Sequence, residues 1–465
     1  MKKLYRYSTI VFSVLSLSLT SCSDYLDRDD DDNITEADVF ARYEKVNGLV
    51  SDVYAAAKKA DRPLVFFEHF SNSAITDECE GTNVEGNITN NFNNGAWNPN
   101  SLPGSVGQYW EALYEGIRKA NLIIENVEKY NTPDNPQQDG DLRNRIGEMY
   151  FMRGYFHMLL MRMYGEAPYI DYVVHAGDNM DFKKESVHAM VEKIVADAQT
   201  AYSMVPNKYV KTSENFGRVD KGACLGLIAF VRWVAATPLW NGASQYGYNL
   251  RRVFENEYAY DINRWRRAKE AAKAVMDFEV GGTKRYSLYT KHDANDFKDP
   301  ADGNLNDSRV YARLWDMFYD MDAFANEYVF FMTKSKDQAW QGDIYPPSRE
   351  GSSRQQPVQE QVDEYEYIVG DYGYPVYSAE ARKGGYDDAN PYVKGTRDPR
   401  FYRTFAFPGV EWKFNSGNVD FSGATMSGLC PTRYTSGANY ELWNYCWYTT
   451  ADERNNPSRS GFACL

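Results

Sequence analysis

Across residues 143–163 the apolar side chains Ile146, Met149, Tyr150, Phe156, Leu160 and Met163 recur at steps of three and four. Side chains so spaced share one side of an α-helix, so an amphipathic helix is predicted here. Gly165 tolerates the left-handed conformation that ends a helix, and Pro168 cannot continue one. The same period predicts helices over 109–130, 187–204 and 265–277. Thr35-Glu36-Ala37-Asp38 has the form of a capping box, opening a helix that carries Phe40, Tyr43, Val50, Val53 and Tyr54. Gly217-Arg218-Val219-Asp220-Lys221-Gly222-Ala223 leads into a further helix, CLGLIAFVRWVAATPLW. Small residues there and at Ala268, Ala271, Ala272 and Ala274 allow close helix approach, as a stack of helix pairs requires.

The pattern fails between residues 72 and 105, where Asn, Gly and Ser dominate and a loop is predicted. Trp97 stands in it without a periodic partner. A Trp outside a periodic element, flanked by Asn98, is a candidate for ligand contact, balanced against a ring folded back onto its own scaffold. From about Tyr286 the chain becomes loop-rich. Residues 293–308 form a polar loop whose carboxylates and amides give a weak case for calcium, since Pro300 breaks the EF-hand spacing. Residues 326–331, NEYVFF, read as a short β-strand. Residues 336–393 are rich in Gly, Pro, Tyr and Gln and contain Trp340 and Tyr345.

Residues 1–21 read as a secretory signal, with Lys2, Lys3 and Arg6 before an apolar stretch too short to span a bilayer, which takes about 20 residues. Leu19-Thr20-Ser21-Cys22 has the form of a bacterial lipobox, which makes Cys22 the acylation site. The acidic run that follows, SDYLDRDDDD, stays solvated and reads as a tether.

Aromatic residues make up 15% of the chain, with 37 Tyr and 10 Trp, more than packing needs. The net charge is -14, which argues against a nucleic-acid partner, and against an acidic polysaccharide unless a basic groove is hidden within the total. There is no HExxH, no phosphate-binding Gly loop and no Cys-x-x-Cys. His157 is expected to be packed rather than a ligand. Of the cysteines other than Cys22, Cys430 and Cys446 make the most plausible bridge.

Four stretches resemble, in order, the SusD/RagB family: Arg153-x-Tyr155 through Tyr164-Gly165-x-x-Pro168, Gly217–Ala223, 326–331, and Asp398-Pro399-Arg400 with Phe407-Pro408-Gly409. The resemblance implies a mainly α fold, a tetratricopeptide-like stack of helix pairs with a loop-rich, minor-β region facing ligand. It implies a signal peptide at 1–21, an anchor and tether at 22–34, a helical core at 35–285 with a loop insertion near 72–105, and a ligand-facing region at 286–465. Relatives continue past a segment like Gly461-Phe462 into further core helices, so the chain is expected to lack that end.

The implied function is non-catalytic capture of glycan at the cell surface and its delivery to a SusC-like TonB-dependent transporter in the outer membrane. Sugar rings lay apolar C–H faces on aromatic rings, while their hydroxyls need amide or carboxyl partners. The candidates on that chemistry are Trp97, Asn98, Trp315, Trp340 and Tyr345. For Trp315 a core position is favoured, because Tyr311, Leu314 and Phe318 share its helical spacing. No resident cofactor is implied. The rivals are a peptide-binding relative, a surface glycosidase using two carboxylates across a cleft, and a lid with no ligand contact.

Overall fold

The computed structural model describes residues 35–67, 70–81, 88–96, 98, 104–131, 136–209, 215–243, 254–289, 326–331, 355–388, 391, 396–406, 420–421, 424–425 and 463–464. Among the described residues the helices are α1 (Glu36–Phe40), α2 (Tyr43–Val65), α3 (Ile88–Asn93), α4 (Gly104–Tyr130), α5 (Pro136–Tyr164), α6 (Val187–Met204), α7 (Lys221–Ala236) and α8 (Ile262–Met276), with three short ones beyond residue 358. Strands are brief and pair in twos, all antiparallel. The protein is mainly α, a stack of antiparallel helices in which α5 lies at the centre against α2, α4 and α6, and α7 and α8 extend the stack past α6.

Local chemistry explains where the helices begin. The Thr35 hydroxyl accepts from the Asp38 amide at 3.2 Å, while the Asp38 carboxylate accepts from the Thr35 amide at 2.9 Å, completing the capping box. Ser186, Asp220 and Asp261 cap α6, α7 and α8 with their side-chain oxygens. The expected single helix from Glu36 to Tyr54 is interrupted at Ala41 and Arg42, where the chain turns before α2. Phe40 is buried on one side of that turn and Val46, Val50 and Val53 on the other, so the break lets both pieces reach one core.

Helix α5 departs from a simple amphipathic pattern. Its expected face is buried or half-buried, but so are Phe151, Met152, Met158, Leu159 and Met161, which point elsewhere. A helix enclosed by neighbours has apolar residues all round. Its buried charges are matched. Glu148, fully buried, accepts from Arg145 at 2.6 Å, Tyr209 at 2.7 Å, Arg218 at 2.8 Å and Tyr54 at 2.9 Å. One carboxylate therefore joins α2, α5 and the link between α6 and α7.

Two local expectations, one of loop and one of strand, are corrected. Within 72–105 the chain forms a 3₁₀ turn at Asn72–Ile75, strand β1 (Cys79–Gly81) and α3, packed around Ala74, Ile88 and Val106. Strand β1 pairs with Gln355–Pro357, which ties this insertion to the loop-rich region. Residues 326–331 form turn and bend rather than strand. The reason is packing: the Phe330 ring plugs against Phe151 at 4.9 Å and Tyr155 at 5.5 Å, and Phe331 meets Phe216 at 4.9 Å. Aromatic rings seated in this way bend the backbone to the helices rather than to a ladder partner.

Candidate functional site

The end of α5 and the chain that follows build one wall of a cleft. Gly165 adopts φ 72°, stopping the helix. Residues 166–182 then run across α4 and α5, and their backbone is fastened at successive points. The Tyr114 hydroxyl donates to the Pro168 carbonyl at 2.7 Å. The Asn121 amide donates to Ile170 at 3.2 Å and to Tyr172 at 2.9 Å. Arg153 donates to the Asp171 carbonyl at 3.0 Å, and Arg118 donates to Val174. The Ile170 amide donates to His157 Nε2 at 3.1 Å.

These anchors are held in turn. Arg153 forms a two-pronged pair with Asp197 of α6 and donates to Asn121 of α4 at 3.0 Å. Burial opposes its charge, but the Asp197 carboxylate outweighs this and raises its pKa. Tyr169 donates to the same carboxylate at 2.6 Å, and burial, then that charge, raises its hydroxyl well above the ordinary tyrosine range. His157 is fully buried and stacks on Tyr169 with ring centroids 3.7 Å apart. Burial lowers its pKa to about 3, so the ring is neutral, and with Nε2 accepting from Ile170 its Nδ1 donates to the Arg153 carbonyl at 2.8 Å. His157 is thus a packed histidine, as expected.

The cleft has a volume of about 600 Å³, with Ile117, Pro168 and Ile170 on its floor and Trp110, Tyr114, Tyr172 and Phe182 along its walls. That volume falls within the range of small-ligand sites. Tyr172 is 50% exposed. At the rim stand Glu111, Arg118, His175 and Asp178. Asp178 accepts from the His175 amide at 2.7 Å, closing a turn around Gly177. The Glu111 carboxylate, the Tyr172 hydroxyl and the His175 ring enter no hydrogen bond or ion pair among the described residues, so an apolar trough is edged with polar groups in want of partners.

Of the residues singled out from sequence, Asn98 is described. It is exposed and follows α3 and the turn at Gly95, φ 63°. The cluster around α3 reaches the cleft through Tyr164, whose ring meets Trp110 edge-on at 5.0 Å. Trp97, Trp315, Trp340, Tyr345, Cys22, Cys430, Cys446 and the 293–308 loop lie outside the described residues. Sequence reasoning missed Tyr172 and Phe182. The signal was available, since both are large rings in the non-periodic stretch after Gly165, the criterion that selected Trp97. Among the described residues no group of His, Cys, Asp or Glu is arranged to hold a metal ion, and no helix is long and apolar enough to cross a membrane.

Residues 24–231, which include the whole cleft, match a family termed SusD-like and described as starch-binding and associating with the outer membrane. Over this stretch the chain is similar to that family. SusD-like protein P2 of Formosa agariphila is 26% identical over 202 residues, 43% of this chain and 38% of that protein, so the match spans under half of the relative's length. A SusD-like protein of Bacteroides fragilis shares the fold with a TM-score of 0.61 at 18% identity, over 92% of this chain and 68% of the other. A SusD-like carbohydrate binding protein of the same organism gives 0.59 at 13% identity, over 92% and 67%. At these identities the likeness is one of fold, the mainly α helix-pair scaffold.

Proposed function

We propose that this chain is a non-catalytic glycan-binding lipoprotein of the cell surface, acylated at Cys22, that passes oligosaccharide to a SusC-like TonB-dependent transporter. In this reading residues 1–21 are a signal peptide, 22–34 anchor and tether, 35–285 the helical core and 286–465 a ligand-facing region. The observation that carries it is the cleft, an aromatic trough in which the wall residue Tyr172 and the rim residues Glu111 and His175 leave polar groups without a partner among the described residues, lying within the stretch that matches the SusD-like family. A pyranose offers that combination an apolar face and a ring of hydroxyls. The family's description as starch-binding and a carbohydrate-binding protein of the same fold support it. Trp97, Asn98, Trp315, Trp340 and Tyr345 would add further platforms along an extended chain, where several weak contacts sum.

Affinity electrophoresis against storage, plant and host polysaccharides tests the reading. Retardation by at least one glycan is expected, and Tyr172→Ala should weaken it several-fold while leaving the melting temperature unchanged. Retention by peptide pools alone would replace glycan with peptide, and glycan hydrolysis abolished by mutating one acid would replace binding with catalysis.

A further inference from the structure

Polarity in the cleft is sorted by depth. The rim side chains Glu111, Arg118, His175 and Asp178 are exposed. On the floor Ile117 and Ile170 are 1% and 9% exposed, and both, like Pro168, are apolar. Helix geometry sets part of this order. Trp110, Tyr114 and Ile117 are spaced four and three apart and share the side of α4 that the cleft uses, while Glu111 and Arg118, seven apart, stand together at its edge.

Polar atoms beside the floor are already engaged. The Tyr114 hydroxyl donates to the Pro168 carbonyl at 2.7 Å, and burial raises its pKa. The carbonyls of Ile170 and Tyr172 accept from the Asn121 amide, and that of Val174 from Arg118. The groups without a partner among the described residues, those of Glu111, Tyr172 and His175, belong to wall and rim.

This order limits which part of a sugar can go down. An unsubstituted hexose lying flat on Trp110 or Tyr172 keeps its hydroxyls within reach of water and the rim. Turned edge-on to the floor, it would press hydroxyls against Ile117 and Ile170, where each loses water and gains no partner. A methyl group makes no such demand and gains by leaving water. Met180, 67% exposed, adds an unbranched, adaptable thioether to the lining. Charge narrows the choice. The Glu111 and Asp178 carboxylates stand at the rim with the Arg118 guanidinium, in a chain of net charge -14. A uronic acid or sulfate ester would meet net repulsion there.

We propose that the cleft selects neutral sugars carrying a methyl group, as a 6-deoxy carbon or an O-acetyl ester, and seats that methyl on Ile117, Pro168 and Ile170. The proposal rests on the glycan reading of the cleft and says which glycans it takes.

Calorimetry on the full chain tests it with pairs that differ in that group alone. One set pairs acetylated xylo- and glucomanno-oligosaccharides with the same material deacetylated in mild alkali. The other pairs methyl L-fucoside with methyl L-galactoside, which has a hydroxyl on carbon 6 where fucose has none. A methyl in an apolar pocket is worth about tenfold or more, so the methyl-bearing members of at least one set should bind about tenfold more tightly. The set that responds tells an ester from a deoxy sugar. Ile117→Thr, which puts a hydroxyl on the floor, should bring the ratio to about threefold or less. Met180→Gln should lower it too, and its exposed position keeps the test open if Ile117→Thr melts early. Each ratio is taken on one protein, so a loss of folded fraction cancels.

Equal binding within every pair, a ratio that neither substitution moves, or a preference for oligogalacturonate over the neutral sugars overturns the proposal and leaves the glycan reading standing. Failure of every glycan to bind, with or without the methyl, removes the glycan reading and the proposal with it. Binding of peptide pools alone does the same.

Discussion

Along α5 charged side chains stand inside the protein, and along α8 they stand in water. Arg145, Glu148 and Arg153 are all less than a tenth exposed, and each has its partners fixed by neighbouring helices. Of the five cations on α8, Arg267 shares Glu192 with Arg232 at the surface and Lys273 reaches Asp277 four residues on. Both helices carry apolar residues, but α5 is enclosed by α2, α4 and α6, while α8 has α7 on one side. Neighbours, more than apolar content, decide whether a helix becomes core. A buried charge then becomes a joint between elements, because leaving it unmatched is costly, whereas an exposed one only tunes what may approach.

The comparison breaks hardest at Glu148. Glu148→Ala leaves Arg145 and Arg218 without their shared carboxylate and should cost about 3–5 kcal/mol in urea unfolding. A loss within the surface range would mean that α5 is not jointed as described. Next is Gly116, where α4 crosses α5. An added Cβ would stand 2.5 Å from the Phe156 ring, so Gly116→Ala should destabilise by about 1–3 kcal/mol.

Acid sharpens the contrast further. His157 has a folded pKa of about 3 and His188 of about 4, each lowered first by burial from an ordinary 6.5. The unfolded chain therefore binds more protons, and stability present above pH 6.5 is lost as pH falls toward those values. For His157 the slope approaches about 1.4 kcal/mol per pH unit, and His188 adds to it in the same direction. Urea midpoints between pH 7 and 5 should show the decline, and His157→Gln should flatten it. The smallest effect belongs to α8, where Met276→Ser should leave stability within about 0.5 kcal/mol.

Much of this scaffold was legible from spacing. Residues 187–204 and the capping box at Thr35 are local features, set by side chains within a turn of each other. The break at Ala41 and the bend at 326–331 were not legible, because distant packing imposes them through Phe40 in one case and Phe330 on α5 in the other. The cleft lay further out of reach. Trp110 and Tyr172 are 62 positions apart and are brought to one cleft by hydrogen bonds, those of Asn121 and Tyr114 among them, to a loop with no period of its own. What sequence did mark was Arg153, as the start of the Arg-x-Tyr pattern on α5, without its role as an anchor.

The ties on Pro168, Ile170, Asp171, Tyr172 and Val174 end on main-chain carbonyls or amides, while the side chains of Glu166 and Tyr169 are held by Tyr258 and Asp197. None grips a side chain that faces the trough. Tyr172 could therefore become another residue without the path of its backbone being renegotiated. A lineage could redraw what this hollow accepts one substitution at a time, on a frame that never has to be folded anew.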